Sequence, residues 1–209
     1  MLNHELSISQ IMRAEIQHYI RTKAGQQLRR SSLENARVSS PILFDTLLET
    51  YLEECTNKKS GPSHLELIKR LLLLGGVSEQ ELDIAMATPG NTAAIALYRD
   101  ISDRGAGCHM LGAGAVEHYY CQLSLKVYNV YTEKYKMTHE QAETYYIHTK
   151  MDQIHADRAF NILDEAIKLH GWPLIEMSVR DAFVATSLHY DGMFQAAAQN
   201  TKYWSGVEK

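Results

Sequence analysis

Interruptions to helical structure are rare in this chain of 209 residues, and this limits its possible folds more than any other feature. Only four residues are proline, and the few glycines leave long stretches uninterrupted. Proline ends or kinks a helix, whereas strands need alternating hydrophobicity between turn residues, a pattern that is missing here. The sequence therefore predicts an all-α fold.

The spacing of apolar residues predicts eight helices, and two of their N-termini are marked by capping boxes. Ser63 to Glu66 and Thr138 to Gln141 both match S/T-x-x-E/Q, in which two side chains satisfy free backbone N–H groups. Without repeats or linkers, we expect residues 1–209 to form one domain, a bundle of about seven or eight helices. The predicted helices cover residues 8–36, 41–56, 64–74, 79–87, 91–103, 108–134, 139–170 and 174–200.

The composition argues against several classes of protein. A net charge of −4 with 22% charged residues does not suit binding to nucleic acid. The apolar run Leu71–Leu74 is far shorter than the ~20 residues of a membrane span, and the N-terminus lacks the apolar core of a signal peptide. Three cysteines without a C-x-x-C pair argue against a disulfide framework. We therefore expect a cytoplasmic protein without a membrane partner.

His148, Asp152 and His155 form an H-x3-D-x2-H motif in the helix that follows Thr138. At about 100° per residue, these three side chains share one narrow strip of that helix. The strip continues to Ala159, which suggests that it faces the interior of the bundle. Two imidazoles and a carboxylate in a core need hydrogen bonds or a cation. By itself the motif fits both a metal site and ordinary hydrogen bonds with a surface ion pair.

Two other segments offer further ligands. Glu117 is surrounded in sequence by small, apolar and aromatic residues, so its carboxylate needs a partner if it points inward. Glu54 ends one predicted helix and His64 begins the next, and a helix end that faces a helix start can bring both side chains together. The alternative is a solvated pair of Glu53 and Glu54 with an exposed His64.

Together, these residues resemble the ligand set of the haem-oxygenase-like diiron oxidases and oxygenases, which belong with thiaminase II and PQQ-synthesis protein C to one superfamily. The family pattern is a Glu, a His about ten residues later, a Glu on a central helix, and an H-x3-D-x2-H about thirty residues beyond. The matching positions here are Glu54, His64, Glu117, His148, Asp152 and His155.

The resemblance implies a haem-oxygenase-like bundle that holds two ferrous ions and uses O2 as a co-substrate. Three carboxylates and three neutral imidazoles carry a formal charge of −3, and two Fe²⁺ ions carry +4. The remaining positive charge favours an anionic substrate. The implied reaction is oxidation of a small metabolite, such as an amino acid or another carboxylate, by C–H cleavage, N-oxygenation or oxidative fragmentation. A homodimer is also expected, as in many relatives.

Four more residues are candidates for roles in catalysis or substrate binding. Lys126 precedes His148 by 22 residues, as does a lysine that matters in para-aminobenzoate-forming members, although a regular helix would turn it away from Glu117. Tyr145, about 60° from His148, could bond a ligand, line the pocket or belong to the core. Arg180 and His189 are candidates to bind a substrate carboxylate.

Three alternatives remain open at this point. Cys121 partly matches a thiaminase-II-like cysteine hydrolase, although Leu125 stands where that family has a tyrosine. Glu15 and His18 form the E-x-x-H of ferritin-type diiron sites, but the second copy that such a site needs is missing. A non-enzymatic interaction protein on the same scaffold is the third alternative, because a fold does not fix a function.

Overall fold

The computed structural model describes residues 6–57 and 61–200, and over these ranges it consists of helices and their connections, without strands. The predicted all-α fold is confirmed. Within the described ranges, none of the helices is long and apolar enough to cross a bilayer. The helices are α1 (Ile8–Ser39), α2 (Pro41–Cys55), α3 (His64–Leu74), α4 (Glu79–Ile84), α5 (Pro89–Asp103), α6 (Ala106–Asn129), α7 (His139–Asn161), α8 (Leu163–His170) and α9 (Trp172–Ala197), with a π-helical segment, Val130–Lys134, directly after α6.

Two predicted helices differ from the observed ones by more than three residues at either end. The helix predicted over residues 139–170 is divided between α7 and α8 at Ile162, whose N–H bonds to the Ala159 carbonyl three residues earlier instead of four. Neither proline nor glycine marks this break, so it has no local signal in the sequence. The helix predicted over 108–134 changes from α to π geometry at Val130. Nine α-helices are therefore found within the described ranges, one more than predicted.

Both predicted capping boxes form. The Ser63 hydroxyl accepts from the N–H of Glu66, and the Glu66 carboxylate accepts from the N–H of Ser63 at 3.0 Å. Thr138 and Gln141 make the corresponding pair of bonds. These caps fix the first turns of α3 and α7, the two helices that carry the predicted histidine ligands.

A close approach of α6 to α7 brings Glu117 towards the histidines of α7. These two helices share the most extensive helix–helix packing in the described structure. A Cβ atom added at Gly114 would lie only 2.2 Å from the Cβ atom of Ala159, so the contact depends on glycine. Val116 and Ala159 both belong to the largest buried apolar cluster, which therefore supports one side of the site.

Candidate metal centre

Three helices bring Glu54, His64 and His148 together. Glu54 Oε2 lies 3.1 Å from His64 Nδ1, and Glu54 Oε1 lies 3.6 Å from His148 Nε2. The centroids of the two imidazole rings are 4.0 Å apart. One potential ligand atom from each residue lies within 4.8 Å of the other two. The end of α2, the start of α3 and the middle of α7 thus form one half of a possible metal site.

A backbone hydrogen bond fixes the orientation of His148. Its Nδ1 donates to the Thr144 carbonyl at 2.6 Å, which turns Nε2 towards Glu54. That Nε2 is buried and has no hydrogen-bond partner. An imidazole whose second nitrogen is held by a carbonyl is the usual arrangement of a histidine metal ligand.

His155 is oriented in a similar way, but by a carboxylate. Its Nε2 lies 3.2 Å from Glu53 Oε2, and Glu53 also pairs with Arg158 through an N–O distance of 3.0 Å. The other nitrogen, Nδ1, is buried without a hydrogen-bond partner, 3.6 Å from Glu54 Oε1 and 3.9 Å from Glu117 Oε2. His155 therefore points its free nitrogen between two predicted carboxylate ligands.

Glu117 and Asp152 complete the region around these histidines. Glu117 Oε1 lies 2.6 Å from Arg29 Nη2, and Asp152 Oδ2 accepts from the Ser124 hydroxyl at 3.4 Å. Both carboxylates line a cavity of about 190 Å³. The structure thus gathers the six predicted ligands in one region, with Glu54, His64 and His148 in the tightest group.

Burial and crowded charges shift the pKa values of these groups. Burial raises the pKa of Asp152 to about 8, with Glu117 and Glu54 adding to the effect. Burial lowers the pKa of His64 to about 3, and the charge of His148 acts in the same direction. Burial also opposes the charged form of His148, but Asp152 and Glu54 outweigh it and raise its pKa to about 10. Without a metal, this site therefore holds protons that a cation could replace.

The donor set fits an iron centre. Imidazole nitrogens and carboxylate oxygens suit Fe²⁺, whereas thiolates favour softer ions. Buried polar atoms are nearly always satisfied, yet His148 Nε2 and His155 Nδ1 both face Glu54 without a hydrogen-bond partner. Metal ions bound on either side of the Glu54 carboxylate would satisfy both nitrogens.

Two of the other predicted residues lie at the cavity. Tyr145 lines it, and its hydroxyl donates to Glu15 Oε1 at 2.6 Å instead of to a predicted ligand. Burial raises the pKa of Tyr145 well above its ordinary value, and Glu15 adds to this effect, so the phenol stays protonated. His189 also lines the cavity, and its Nδ1 lies 2.9 Å from Asn91 Oδ1.

The structure does not bring Lys126, Arg180 or Cys121 to the site. Lys126 is exposed on α6 and does not line the cavity. Arg180 is 71% exposed and pairs with Asp181, its neighbour in sequence. Cys121 Sγ donates to the His118 carbonyl, away from the cavity lining, so the geometry gives no support to the cysteine-hydrolase alternative.

Sequence reasoning considered Glu15 and His18 only as the E-x-x-H of a ferritin-type site and missed the contribution of α1 to this one. Glu15 is fully buried, and the ring of His18 lies 5.4 Å from that of His64. Arg21 and Arg29, from the same helix, line the cavity as well. These four residues recur at intervals of three or eight, which places polar side chains near one face of α1. This polar face was the signal available in the sequence. A surface helix would turn such a face to solvent, whereas in the structure it lies at the cavity.

Comparisons with known proteins agree with this geometry. The chain is similar to a CADD-like protein of unknown function from Nostoc punctiforme PCC 73102, with a TM-score of 0.64 and 16% identity over 96% of this chain and 85% of that one. This likeness supports the fold. No curated protein sequence matches the chain. Residues 31–171 match the sequence profile of the iron-containing redox enzymes with a haem-oxygenase-like fold. The chain therefore belongs to this family of iron-containing redox enzymes.

Proposed function

We propose that this protein is a non-haem diiron oxidase or oxygenase that uses O2 to oxidise a small metabolite. The observation that carries the proposal is the position of Glu54, which faces nitrogens of His64, His148 and His155 at 3.1 to 3.6 Å. Two of these nitrogens have no hydrogen-bond partner. A carboxylate shared in this way suits a bridge between two metal ions.

The proposed ligands divide into two groups around Glu54. Glu54, His64 and His148 would hold one ion, and Glu117, Asp152 and His155 would hold the other with Glu54 as the shared ligand. Ferrous iron would supply the electrons that reduce O2. Six protein ligands leave coordination positions open on two ions, as a reactive centre needs.

Residues of α1 and α7 would control protons beside this centre. The Tyr145 hydroxyl, Glu15 and His18 form a buried hydrogen-bonded chain, with Tyr145 Oη 3.3 Å from His18 Nδ1. Because His18 also contacts the ring of His64, a proton held in this chain lies next to the proposed iron site. We propose that Tyr145 and Glu15 hold the His18 ring in position and that His18 supplies or accepts protons during turnover.

The proposal extends to the substrate and to the state of the protein. Six ligands and two ferrous ions leave a net positive charge, which favours a substrate that carries a carboxylate, an amino acid among them. A homodimer and a cytoplasmic location belong to the proposal as well. Size-exclusion chromatography with light scattering tests the dimer.

The central experiment loads the metal-free protein with Fe²⁺ under anaerobic conditions and then exposes it to O2. We expect close to two equivalents of iron to bind, O2 to be consumed, and absorption to develop in the visible range. His148→Ala should lose iron and O2 consumption together. His139→Ala is the matched control, because His139 lies exposed at the start of the same helix. Iron binding and O2 consumption that survive in His148→Ala would refute the proposal.

A further inference from the structure

The lining of the cavity includes buried polar atoms that meet no hydrogen-bond partner in the described structure. Arg21 Nε, Thr22 Oγ1 and Tyr120 Oη are all buried without a hydrogen-bond partner, and all three residues line the cavity. A buried donor without a partner lowers stability. Proteins keep such groups where function requires them, so these atoms mark a place for a ligand.

Arg21 is the unusual member of this group, because it is a charge without a counter-charge. Among residues 6–57 and 61–200, no ion pair joins Arg21 to a carboxylate. Its guanidinium carbon lies 5.9 Å from the centroid of the Tyr98 ring. Burial lowers the pKa of Arg21, but Tyr120, Tyr98 and Tyr190 outweigh this effect and raise it, so the guanidinium stays charged. An enclosed charge is expensive unless it is paired.

The position of Arg21 in the cavity sets the direction of a bound molecule. His18 lies one helical turn before Arg21, and its ring is 5.4 Å from His64 and 6.0 Å from His189. A ligand held at Arg21 would therefore extend past His18 towards the metal ligands. The cavity walls include the apolar side chains of Ile95, Val116, Leu123, Val127 and Met193.

We propose that Arg21, together with the Tyr120 hydroxyl, binds the carboxylate of a substrate whose apolar body points towards Glu54, His64 and His148. A guanidinium fork with an adjacent hydroxyl matches the two oxygens of a carboxylate. The identity of this ligand as a substrate rests on the proposed function, but the carboxylate site itself does not. It follows that the carbon or nitrogen to be oxidised lies at the end of the substrate far from its carboxylate.

The test measures binding of carboxylates and their amides by calorimetry, with the full chain both metal-free and loaded with Mn²⁺. The probes are the straight-chain acids from acetate to octanoate, 3-phenylpropionate, and the amide of each. We expect one or more of the acids to bind the metal-free protein and the corresponding amide to bind about tenfold more weakly or worse. Arg21→Gln should remove this preference for the acid.

Three further variants make the result specific. Lys23→Gln removes an exposed positive charge from the same helix and should leave acid binding unchanged. Arg21→Lys keeps the charge without the fork and should show an intermediate affinity, and it also serves if Arg21→Gln fails to fold. Tyr120→Phe should weaken acid binding by a smaller factor than Arg21→Gln.

Several outcomes would overturn the inference. These are no acid binding by the wild type, equal binding of acids and amides, or acid binding that survives in Arg21→Gln. Acid binding that occurs only with Mn²⁺ present would place the carboxylate on the metal and would overturn it too. If the protein binds acids through Arg21 but does not bind iron, the carboxylate site stands and the proposed diiron function fails.

Discussion

Arg29 Nη2 lies 2.6 Å from Glu117 Oε1, and the two side chains are only 17% and 13% exposed. A buried arginine thus already neutralises one of the three predicted carboxylate ligands. Glu54, at the other half of the site, makes its ion-pair contacts with histidines and with no arginine in the described structure. The half of the site that contains Glu54 is therefore more negative than the half that contains Glu117, and should attract a metal ion more strongly.

The first prediction is that Arg29→Met tightens binding of the second metal ion. A guanidinium beside Glu117 repels a cation and competes for the carboxylate, so its removal should strengthen the second step on the order of tenfold. Anaerobic calorimetry with Fe²⁺ measures both steps, and the first should strengthen less, because the charge of Arg29 acts on Glu117 more strongly than on Glu54. Arg30→Met is the control, since Arg30 is 72% exposed and pairs with Glu34. A weaker second step in Arg29→Met would mean that Arg29 holds Glu117 in its binding position.

The second prediction concerns Glu53, which accepts from His155 at 3.2 Å and pairs with Arg158. Glu53→Gln should weaken metal binding by about 10- to 100-fold, because carboxylates that orient histidine ligands have effects of this size. Glu49→Gln is a matched control, since Glu49 also approaches Arg158, at 3.5 Å, but is half exposed. Titration of both variants with Fe²⁺ measures their metal affinities. If Glu53→Gln binds the metal as tightly as Glu49→Gln, Glu53 has a role in packing alone.

The helices of this fold were predictable because their signals are local. The capping residues Ser63 and Thr138 fix where two of the helices begin, and the scarcity of proline leaves long stretches free to be helical. The break at Ile162 was not predictable, since it depends on how α7 and α8 pack against the rest of the bundle. Periodicity also placed His148, Asp152 and His155 on one face of α7, and all three are buried there.

The surroundings of the site were much less accessible to sequence reasoning. Glu53 looked like half of a solvated pair, and only tertiary packing places it against His155. The carbonyl that orients His148 is a backbone group of Thr144, so the residue type at that position does not predict this hydrogen bond. Arg21 and Arg29 lie far from the predicted ligands in sequence, so their approach to the cavity follows from the position of α1 in the bundle.

The third prediction tests the close contact between α6 and α7. Gly114→Ala places a Cβ atom 2.2 Å from the Cβ atom of Ala159, so the helices must separate. We expect the free energy of unfolding to fall by about 1–3 kcal/mol and metal binding to weaken as Glu117 shifts. Gly25→Ala is the control, because nothing lies within 4 Å of its added Cβ atom in α1. Its helix should gain about 0.5–1 kcal/mol. Urea unfolding measures both changes, and a Gly114→Ala protein as stable as the wild type would contradict the contact.

The last prediction concerns the pH dependence of stability and His109. Burial, with the charge of Arg29, lowers the pKa of His109 to about 3, and its Nδ1 lies 2.7 Å from Ser102 Oγ. In the unfolded chain the pKa is about 6.5, so below this pH the unfolded state binds a proton that the folded state excludes. The free energy of unfolding is therefore unaffected by this proton above about pH 6.5, and it decreases as the pH falls from about 6.5 towards 3.

Between about pH 7.5 and about pH 5.5, this residue alone should lower the free energy of unfolding by about 1.4 kcal/mol. His109→Asn cannot take up the proton, so its stability should decline less over this interval, by that difference. His139→Asn, at an exposed position on α7, should decline as the wild type does. Urea unfolding at the two pH values measures all three proteins. Parallel declines for wild type and His109→Asn would show that His109 accepts a proton in the folded state, against the pKa that its burial imposes.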